Sequence, residues 1–249
     1  MGPEPYAWSW NVEALVVVPL LAAGYVWLVR RYPAEPWRVA AYAASLLLIL
    51  AVTVTPVETL SIHYLLSVHL LQNVVLAEWA PLAFALGIPA AFAARLPRVP
   101  AIPALLLWAG NYMVWHLPWI YDAALRNPHT LLHLEHAMYF ATGVLLWWPV
   151  VHDRLLGAGT KAAYVFGAFA LASPIGLLLA LVPEPIYQFY VDAPRRVWGL
   201  DPLRDQQIAG VAMSLAETVV FFAVFVVFFV RFLAEQDAEP AEGEPGAAA

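Results

Sequence analysis

Seven long apolar segments divide this chain, and they exclude a water-soluble fold. They are bounded by charged residues, prolines or polar clusters and lie at about 12–29, 37–57, 62–93, 103–123, 130–151, 161–183 and 206–232. A helix needs about 20 apolar residues to cross the hydrocarbon of a bilayer, and each segment is close to that length or exceeds it. Since 63% of the residues are hydrophobic and only 12% are charged, we predict an all-α, polytopic membrane protein with seven transmembrane helices.

The basic residues favour one orientation of these helices. Seven spans place eight of the twelve lysines and arginines on one membrane face and four on the other. Cytoplasmic loops carry the excess of positive charge in membrane proteins, so we predict that the amino terminus is outside and the carboxyl terminus is cytoplasmic. The eight bases on the predicted cytoplasmic face are Arg30, Arg31, Arg38, Arg95, Arg98, Arg154, Lys161 and Arg231.

The charge distribution also divides the chain into two parts. We predict a membrane domain over residues 1–232 and an acidic, disordered cytoplasmic tail over 233–249, where acids alternate with small residues and prolines. Residues 1–231 carry 13 acids and 12 bases, so no basic patch indicates a nucleic-acid partner. The chain has no cysteine, which excludes disulfides and thiolate chemistry.

Histidines gather at the predicted outer face. Six of the seven lie there, and the stretch HTLLHLEHAMYF (129–140) alone contains three of them and a glutamate. The spacing of His129, His133 and His136, by four and then three residues, places them along one face of a helix. The other three outer histidines are His63, His69 and His116, whereas His152 falls on the cytoplasmic side.

Several imidazoles together predict a metal site. Ionisable groups in spanning segments are costly and usually face a cavity, a partner or a ligand, and imidazole suits zinc, copper, iron and nickel. Ordinary hydrogen bonding at the membrane interface is the alternative for each histidine taken alone. Glu135 is a candidate for orienting an imidazole or for an interfacial ion pair, Glu217 is a candidate for lining the cavity, and Glu78 is expected to pair with Arg95 or Arg98.

Four sequence blocks carry a resemblance to a known family. They are APLAFALGIP (80–89), WHLPWIYDAALRN (115–127), LLHLEHAMYFATGVLLWWPV (131–150) and DQQIAGVAM (205–213). In order and spacing they resemble the signature blocks of CtaG-type cytochrome c oxidase assembly factors. The resemblance implies a multi-pass protein of the prokaryotic plasma membrane that helps a heme-copper oxidase to mature, with delivery or insertion of copper as its role.

The resemblance also directs the choice of ligands. Where family members carry two histidines four residues apart, this chain has His69 and Asn73. We expect copper to be held transiently by His69, His116, His133 and His136, with His63, Asn73, His129, Glu135 and Glu217 as less certain contributors. The expected partners are subunits of a heme-copper oxidase, the lipid bilayer and a copper chaperone on the outer side. The loop from 184 to 205 is long enough to form an outer cap or to be an ordinary connection.

Other classes of function stay open at the level of the sequence. A zinc-dependent membrane hydrolase would need three histidines and an open coordination position, which the spacing of His129 and His133 allows, although neither H-E-x-x-H nor H-x-x-E-H occurs. A heme-binding membrane cytochrome would place two histidines on opposite sides of a porphyrin, and His69 and His136 are candidates for that pair. A role without catalysis is the primary prediction.

Overall fold

The computed structural model describes residues 3–193 and 195–238, and within them every regular element is helical. The helices are α1 (Val12–Arg31), α2 (Pro36–Thr53), α3 (Pro56–His63), α4 (Leu66–Val74), α5 (Ala80–Gly87), α6 (Ala90–Ala93), α7 (Ala101–Trp115), α8 (Pro118–Arg126), α9 (His133–His152), α10 (Ala158–Leu181), α11 (Gln188–Val191) and α12 (Pro202–Ala238). Two short π-helices, Val75–Trp79 and Pro128–Leu132, lead into α5 and α9.

Five helices in the described residues are long and apolar enough to cross a membrane: α1, α2, the continuous helix from Leu66 to Gly87, α10 and α12. Helix α7 is apolar but shorter, at 15 residues, and α9 has 20 residues with histidines at both ends. Large apolar side chains such as Leu20, Trp27, Leu47 and Phe222 are 61–67% exposed, as expected where lipid replaces water around the bundle. The all-helical membrane architecture predicted from the sequence is therefore confirmed.

Two of the predicted apolar segments are each divided into shorter helices. The segment 103–123 divides into α7 and α8, because Leu117, which precedes Pro118, has extended backbone angles. The segment 62–93 divides at Tyr64 and Leu65, where α3 ends and α4 begins, and again at Pro89. The breaks after α3 and after α7 each place a histidine at a helix end: His63 closes α3, and His116 caps α7.

An aromatic core lies where α4, α5, α7, α9, α10 and α12 meet. Its largest members, Trp108, Trp147 and Phe221, pack with ring centroids 5.2–5.8 Å apart and are at most 1% exposed. Helix α1 lies beside α2 at the edge, where Tyr25 stacks on Tyr42 at 3.8 Å and donates a hydrogen bond to the Gly87 carbonyl. The predicted tail begins inside α12, which continues to Ala238, and residues 239–249 lie outside the described part of the chain.

Glycines allow the closest approaches between helices. A Cβ atom on Gly143 of α9 would collide with the Ala77 carbonyl in the first π-helix and would lie 2.7 Å from Pro81 Cγ. A Cβ atom on Gly210 of α12 would collide with the Gly176 carbonyl and would lie 2.6 Å from the Ala180 amide nitrogen, both in α10. Since backbone atoms cannot rotate away as side chains do, these contacts fix the separation of the helices.

We expect Gly210→Ala to lower the free energy of unfolding by about 1–3 kcal/mol, the usual cost of overpacking a tight contact. The matched control is Gly167→Ala in α10, where an added Cβ meets nothing within 4 Å. Thermal unfolding of both purified variants in the same detergent checks this. Equal midpoints for the two variants would contradict close packing of α10 against α12.

Candidate functional site

Three histidines come together at the end of the bundle where α4 and α9 begin and α7 ends. The rings of His69 in α4 and His136 in α9 have centroids 6.2 Å apart. The ring of Tyr121 lies 5.2 Å from His69 and 6.2 Å from His116, measured between centroids. The three side chains are 0%, 7% and 9% exposed for His69, His116 and His136. We call these three residues the histidine cluster.

Local structure explains why these imidazoles point inward. The carboxylate of Asp205 in α12 accepts hydrogen bonds from the Leu66 amide at 2.7 Å and from the Ser67 amide and hydroxyl. Because the first amides of a helix lack partners within it, this carboxylate fixes the start of α4 and with it the position of His69. The second π-helix runs directly into α9 and sets the helical face on which His136 lies.

The hydrogen bonds of His69 and His116 define which ring nitrogen carries the proton. The Tyr190 hydroxyl donates to the Ser61 carbonyl at 2.6 Å, so it accepts from His69 Nδ1–H at 2.7 Å. Nδ1 of His116 lies 2.8 Å from the Tyr112 carbonyl, which accepts only. Both imidazoles are therefore assigned as Nδ1–H tautomers, and the lone pair is on Nε2.

The Nε2 atoms are buried and have no hydrogen-bond partner among the described residues. This holds for His69, His116 and His136 alike. Buried polar atoms are nearly always paired, so these three atoms are candidates for contacting a ligand. Neutral imidazoles whose other nitrogen is held by a carbonyl or hydroxyl are the usual arrangement around a bound metal.

Distances allow His69 and His136 to share one ion. A metal–nitrogen bond of about 2.0 Å puts each ring centroid about 3 Å from the ion, so two opposed ligands lie about 6 Å apart. Their observed separation of 6.2 Å agrees with this. Across residues 3–193 and 195–238, however, no three histidine, aspartate or glutamate side chains are already arranged to hold a metal. His116 would have to move to complete a three-coordinate site.

Tyrosines from the loop between α10 and α12 cover the cluster. Tyr190 of α11 holds His69, and the Tyr187 hydroxyl donates to the His116 carbonyl at 3.1 Å. Both tyrosines are at most 3% exposed. The length of this loop allowed a cap, but Tyr187 and Tyr190 were not among the predicted site residues. The available signal was a pair of tyrosines three residues apart in a loop rich in proline.

The other predicted ligands lie around the cluster rather than in it. Half-buried His133 points to Glu13 of α1, with Nδ1 and Oε1 3.5 Å apart. His129 is exposed in the second π-helix, and half-buried His63 packs on Tyr64. Glu135 is buried and accepts a hydrogen bond of 3.1 Å from the Asn73 amide, which places these two candidates together beside the cluster.

Glu217 lies deeper in the bundle, away from the histidines. Its carboxylate accepts a hydrogen bond from the Tyr112 hydroxyl and lies near the carboxylate of Glu78.

The expectation that Glu78 pairs with Arg95 or Arg98 is wrong, because Glu78 is fully buried and its oxygens have no partner among the described residues. Arg98 instead pairs with Asp153 at 2.7 Å. The first π-helix, which contains Glu78, turns this carboxylate into the core.

At the end of the bundle where the histidine cluster lies, another buried carboxylate holds the start of α1. Glu58 of α3 accepts hydrogen bonds from Gln72 and, at 3.3 Å, from Asn11, whose own oxygen caps α1 by accepting from the Ala14 amide. Burial raises the pKa of Glu58 to about 7, against the opposing effect of these two hydrogen bonds. Burial therefore favours the protonated form of Glu58, and its oxygens act as structural acceptors for Gln72 and Asn11.

These features define a helical membrane protein with a capped, buried histidine cluster at one end. The sequence model of the family described as cytochrome c oxidase caa3 assembly factor (Caa3_CtaG) matches residues 22–235. Because the match covers most of the chain, the protein belongs to this family, and the resemblance noted in its four sequence blocks is confirmed. Comparison with curated proteins and with solved structures gives no match.

We expect Tyr190→Phe to lower the free energy of unfolding by about 1–3 kcal/mol, because it leaves His69 Nδ1–H and the Ser61 carbonyl buried without a partner. The matched control is Tyr32→Phe, which removes a hydroxyl bonded to Arg95 near the surface and should cost less than about 0.5 kcal/mol. Thermal unfolding in detergent measures both. A Tyr190→Phe variant as stable as the control would contradict the role of this tyrosine in holding the cluster.

Proposed function

We propose that this assembly factor receives copper in the histidine cluster and helps to deliver it to a heme-copper oxidase, without catalysing a covalent reaction. Family membership supports a role in oxidase assembly. The observation that carries the copper proposal is the set of three buried Nε2 atoms, on His69, His116 and His136, that lack a partner among the described residues. Copper is here the cargo of the protein and not a resident cofactor.

The chemistry of the donors favours copper in its monovalent state. A site made of neutral imidazoles gives an incoming ion no compensating charge, and a buried charge costs more as its magnitude grows. A single positive charge is therefore easier to accommodate than two. Imidazole is a suitable ligand for copper, and the spacing of His69 and His136 fits two opposed ligands of one ion. Asn73 and Glu135 lie beside the cluster and are bonded to each other at 3.1 Å, so they support the site from outside it.

We propose seven membrane spans, formed by α1, α2, the helix from Leu66 to Gly87, α7, α9, α10 and α12, in the plasma membrane of a prokaryote. The excess of basic residues at the end opposite the histidine cluster supports an outward-facing amino terminus. At that opposite end, Arg38 donates hydrogen bonds to the Leu86 and Ile88 carbonyls, and Arg98 pairs with Asp153. The histidine cluster then faces the outer side, where a copper chaperone and the oxidase subunits would meet it.

The cap over the cluster provides a means of controlled release. Tyr187 and Tyr190 hold His116 and His69 through single hydrogen bonds from a loop that carries little regular structure. Such loops open at lower free energy than packed helices do. We propose that binding of an oxidase subunit to this loop displaces the tyrosines and lets the imidazoles exchange copper with the client.

Copper content tests the proposal. After loading with Cu(I) under reducing conditions and desalting, we expect the purified protein to retain nearly one copper per chain, and a His69→Ala, His136→Ala double variant to retain almost none. The control is His129→Ala, which alters an exposed histidine near the same end and should retain copper as the intact chain does. Near-native thermal midpoints establish that the variants are folded.

Other results would point elsewhere. Retention of zinc in preference to copper would favour the hydrolase, and a Soret absorbance band in the purified protein would favour the cytochrome. If the intact chain retains no metal, the copper proposal fails, and the protein assists oxidase assembly by holding its client alone.

A further inference from the structure

A cavity connects the histidine cluster with the outer end of α1. It has a volume of about 320 Å³ and lies between α1, α2 and α9. Five polar side chains line it, Asn11, Glu13, Thr53, His133 and His136, and the Thr53 hydroxyl donates to the Ile49 carbonyl of its own helix. The rest of its wall is largely apolar and includes Val17, Val18, Leu21, Ile49 and Phe140. Since Asn11 and Glu13 lie at the start of α1 and His133 at the start of α9, the polar wall is at the outer end of the bundle.

Glu13 and His133 form a pair at the mouth of this cavity. Their side chains are 55% and 22% exposed, and Glu13 Oε1 lies 3.5 Å from His133 Nδ1. Asn11 does not compete for a ligand, because its oxygen caps α1 and its amide is held by Glu58. By capping α1, Asn11 instead fixes the turn that presents Glu13 towards α9.

His136 belongs to both the cavity and the histidine cluster. It lines the cavity beside His133, and its ring is 6.2 Å from His69 on the other side. It is 91% buried, and its Nε2 has no partner among the described residues. His133 and His136 are three residues apart in α9, a spacing that brings side chains within about 5–6 Å of each other on a helix. Neighbouring ligands at such distances allow an ion to change partners in short steps.

We propose that Glu13 and His133 form the receiving site through which copper enters the protein and passes to His136. This inference rests on the proposed copper function and assigns a role to Glu13, which sequence analysis did not single out. From the sequence, we expected His133 to be a copper ligand together with His69, His116 and His136. Its position at the mouth of the cavity means instead that copper meets it before reaching the histidine cluster. The carboxylate attracts the cation, and the half-buried imidazole takes it from the solvent side.

The apolar part of the cavity determines where the ion stops. Below His136 the wall consists of aliphatic and aromatic side chains that offer a cation no ligands, and an unpaired charge in such surroundings is strongly disfavoured. Copper that enters at Glu13 therefore has one favourable continuation, towards Nε2 of His136 and then towards His69. The cavity receives the ion and does not conduct it across the membrane.

The rate of copper loading tests this inference separately from copper retention. Purified protein in detergent is mixed rapidly with Cu(I) held by a weak chelator whose absorbance reports the transfer. We expect Glu13→Gln and His133→Ala each to slow loading by about tenfold or more, the range over which charged surfaces accelerate association. Copper bound per chain after long incubation should stay as in the intact protein.

Two control substitutions lie at the same end of the bundle as Glu13 and His133, at residues that do not line the cavity. Glu4→Gln removes an exposed acid that pairs with Arg195, and His129→Ala removes an exposed histidine whose ring is 6.2 Å from that of His133. Both should load at the rate of the intact chain. Raising the salt concentration should reduce the difference between Glu13→Gln and the intact chain, because salt screens the attraction of the carboxylate for the cation.

The outcomes separate this inference from the proposed function. Unchanged loading rates in both Glu13→Gln and His133→Ala, with normal copper retention, would overturn the receiving site and leave the copper function intact. Loss of bound copper at equilibrium in these variants would also overturn it, because the two residues would then be ligands of the final site. If the intact protein retains no copper, the proposed function fails, and the receiving site fails with it.

Discussion

The hydrogen bond between His69 Nδ1 and the Tyr190 hydroxyl ties the histidine cluster to the loop that covers it. Inside a bilayer, polar groups find partners only within the protein, and this bond satisfies one nitrogen of His69 while the Ser61 carbonyl fixes the direction of the hydroxyl proton. The other nitrogen of His69 is left with a free lone pair. The same division occurs at His116 through the Tyr112 carbonyl, so hydrogen bonds orient two of the three imidazoles of the cluster.

Irregularities in the helices bring these donors together. The break before α4 is held by Asp205, the break after α7 follows from Pro118, and the second π-helix precedes α9. Regular helices through the same residues would leave His69, His116 and His136 on faces set by helical periodicity alone. Departures from α-helical geometry carry a cost in stability, and their concentration around a cluster of unpaired nitrogens is typical of functional sites. Tight glycine contacts elsewhere, such as Gly143 against the first π-helix, hold the irregular segments in place.

The helical membrane architecture could be predicted because it depends on local runs of apolar residues, and the family because four sequence blocks carry it. The contacts within the site could not be predicted from the sequence. His133 and His136 both lie in the regular helix α9, and their spacing does not show that His133 faces Glu13 while His136 faces His69. The pairing of Asn73 with Glu135, the approach of Glu78 to Glu217 and the insertion of Tyr190 all join residues far apart in the chain. Periodicity within one helix carries no information about such partners.

Coordination of copper by the Nε2 atoms of the histidine cluster is tested most directly by X-ray absorption spectroscopy of the copper-loaded protein. The account predicts two or three nitrogen ligands at about 2.0 Å, with the scattering pattern of imidazole rings, and a lower number of imidazoles after His116→Gln or His136→Gln. Methionine sulfur in the first coordination sphere, at about 2.3 Å, would contradict it. So would a spectrum that neither substitution changes.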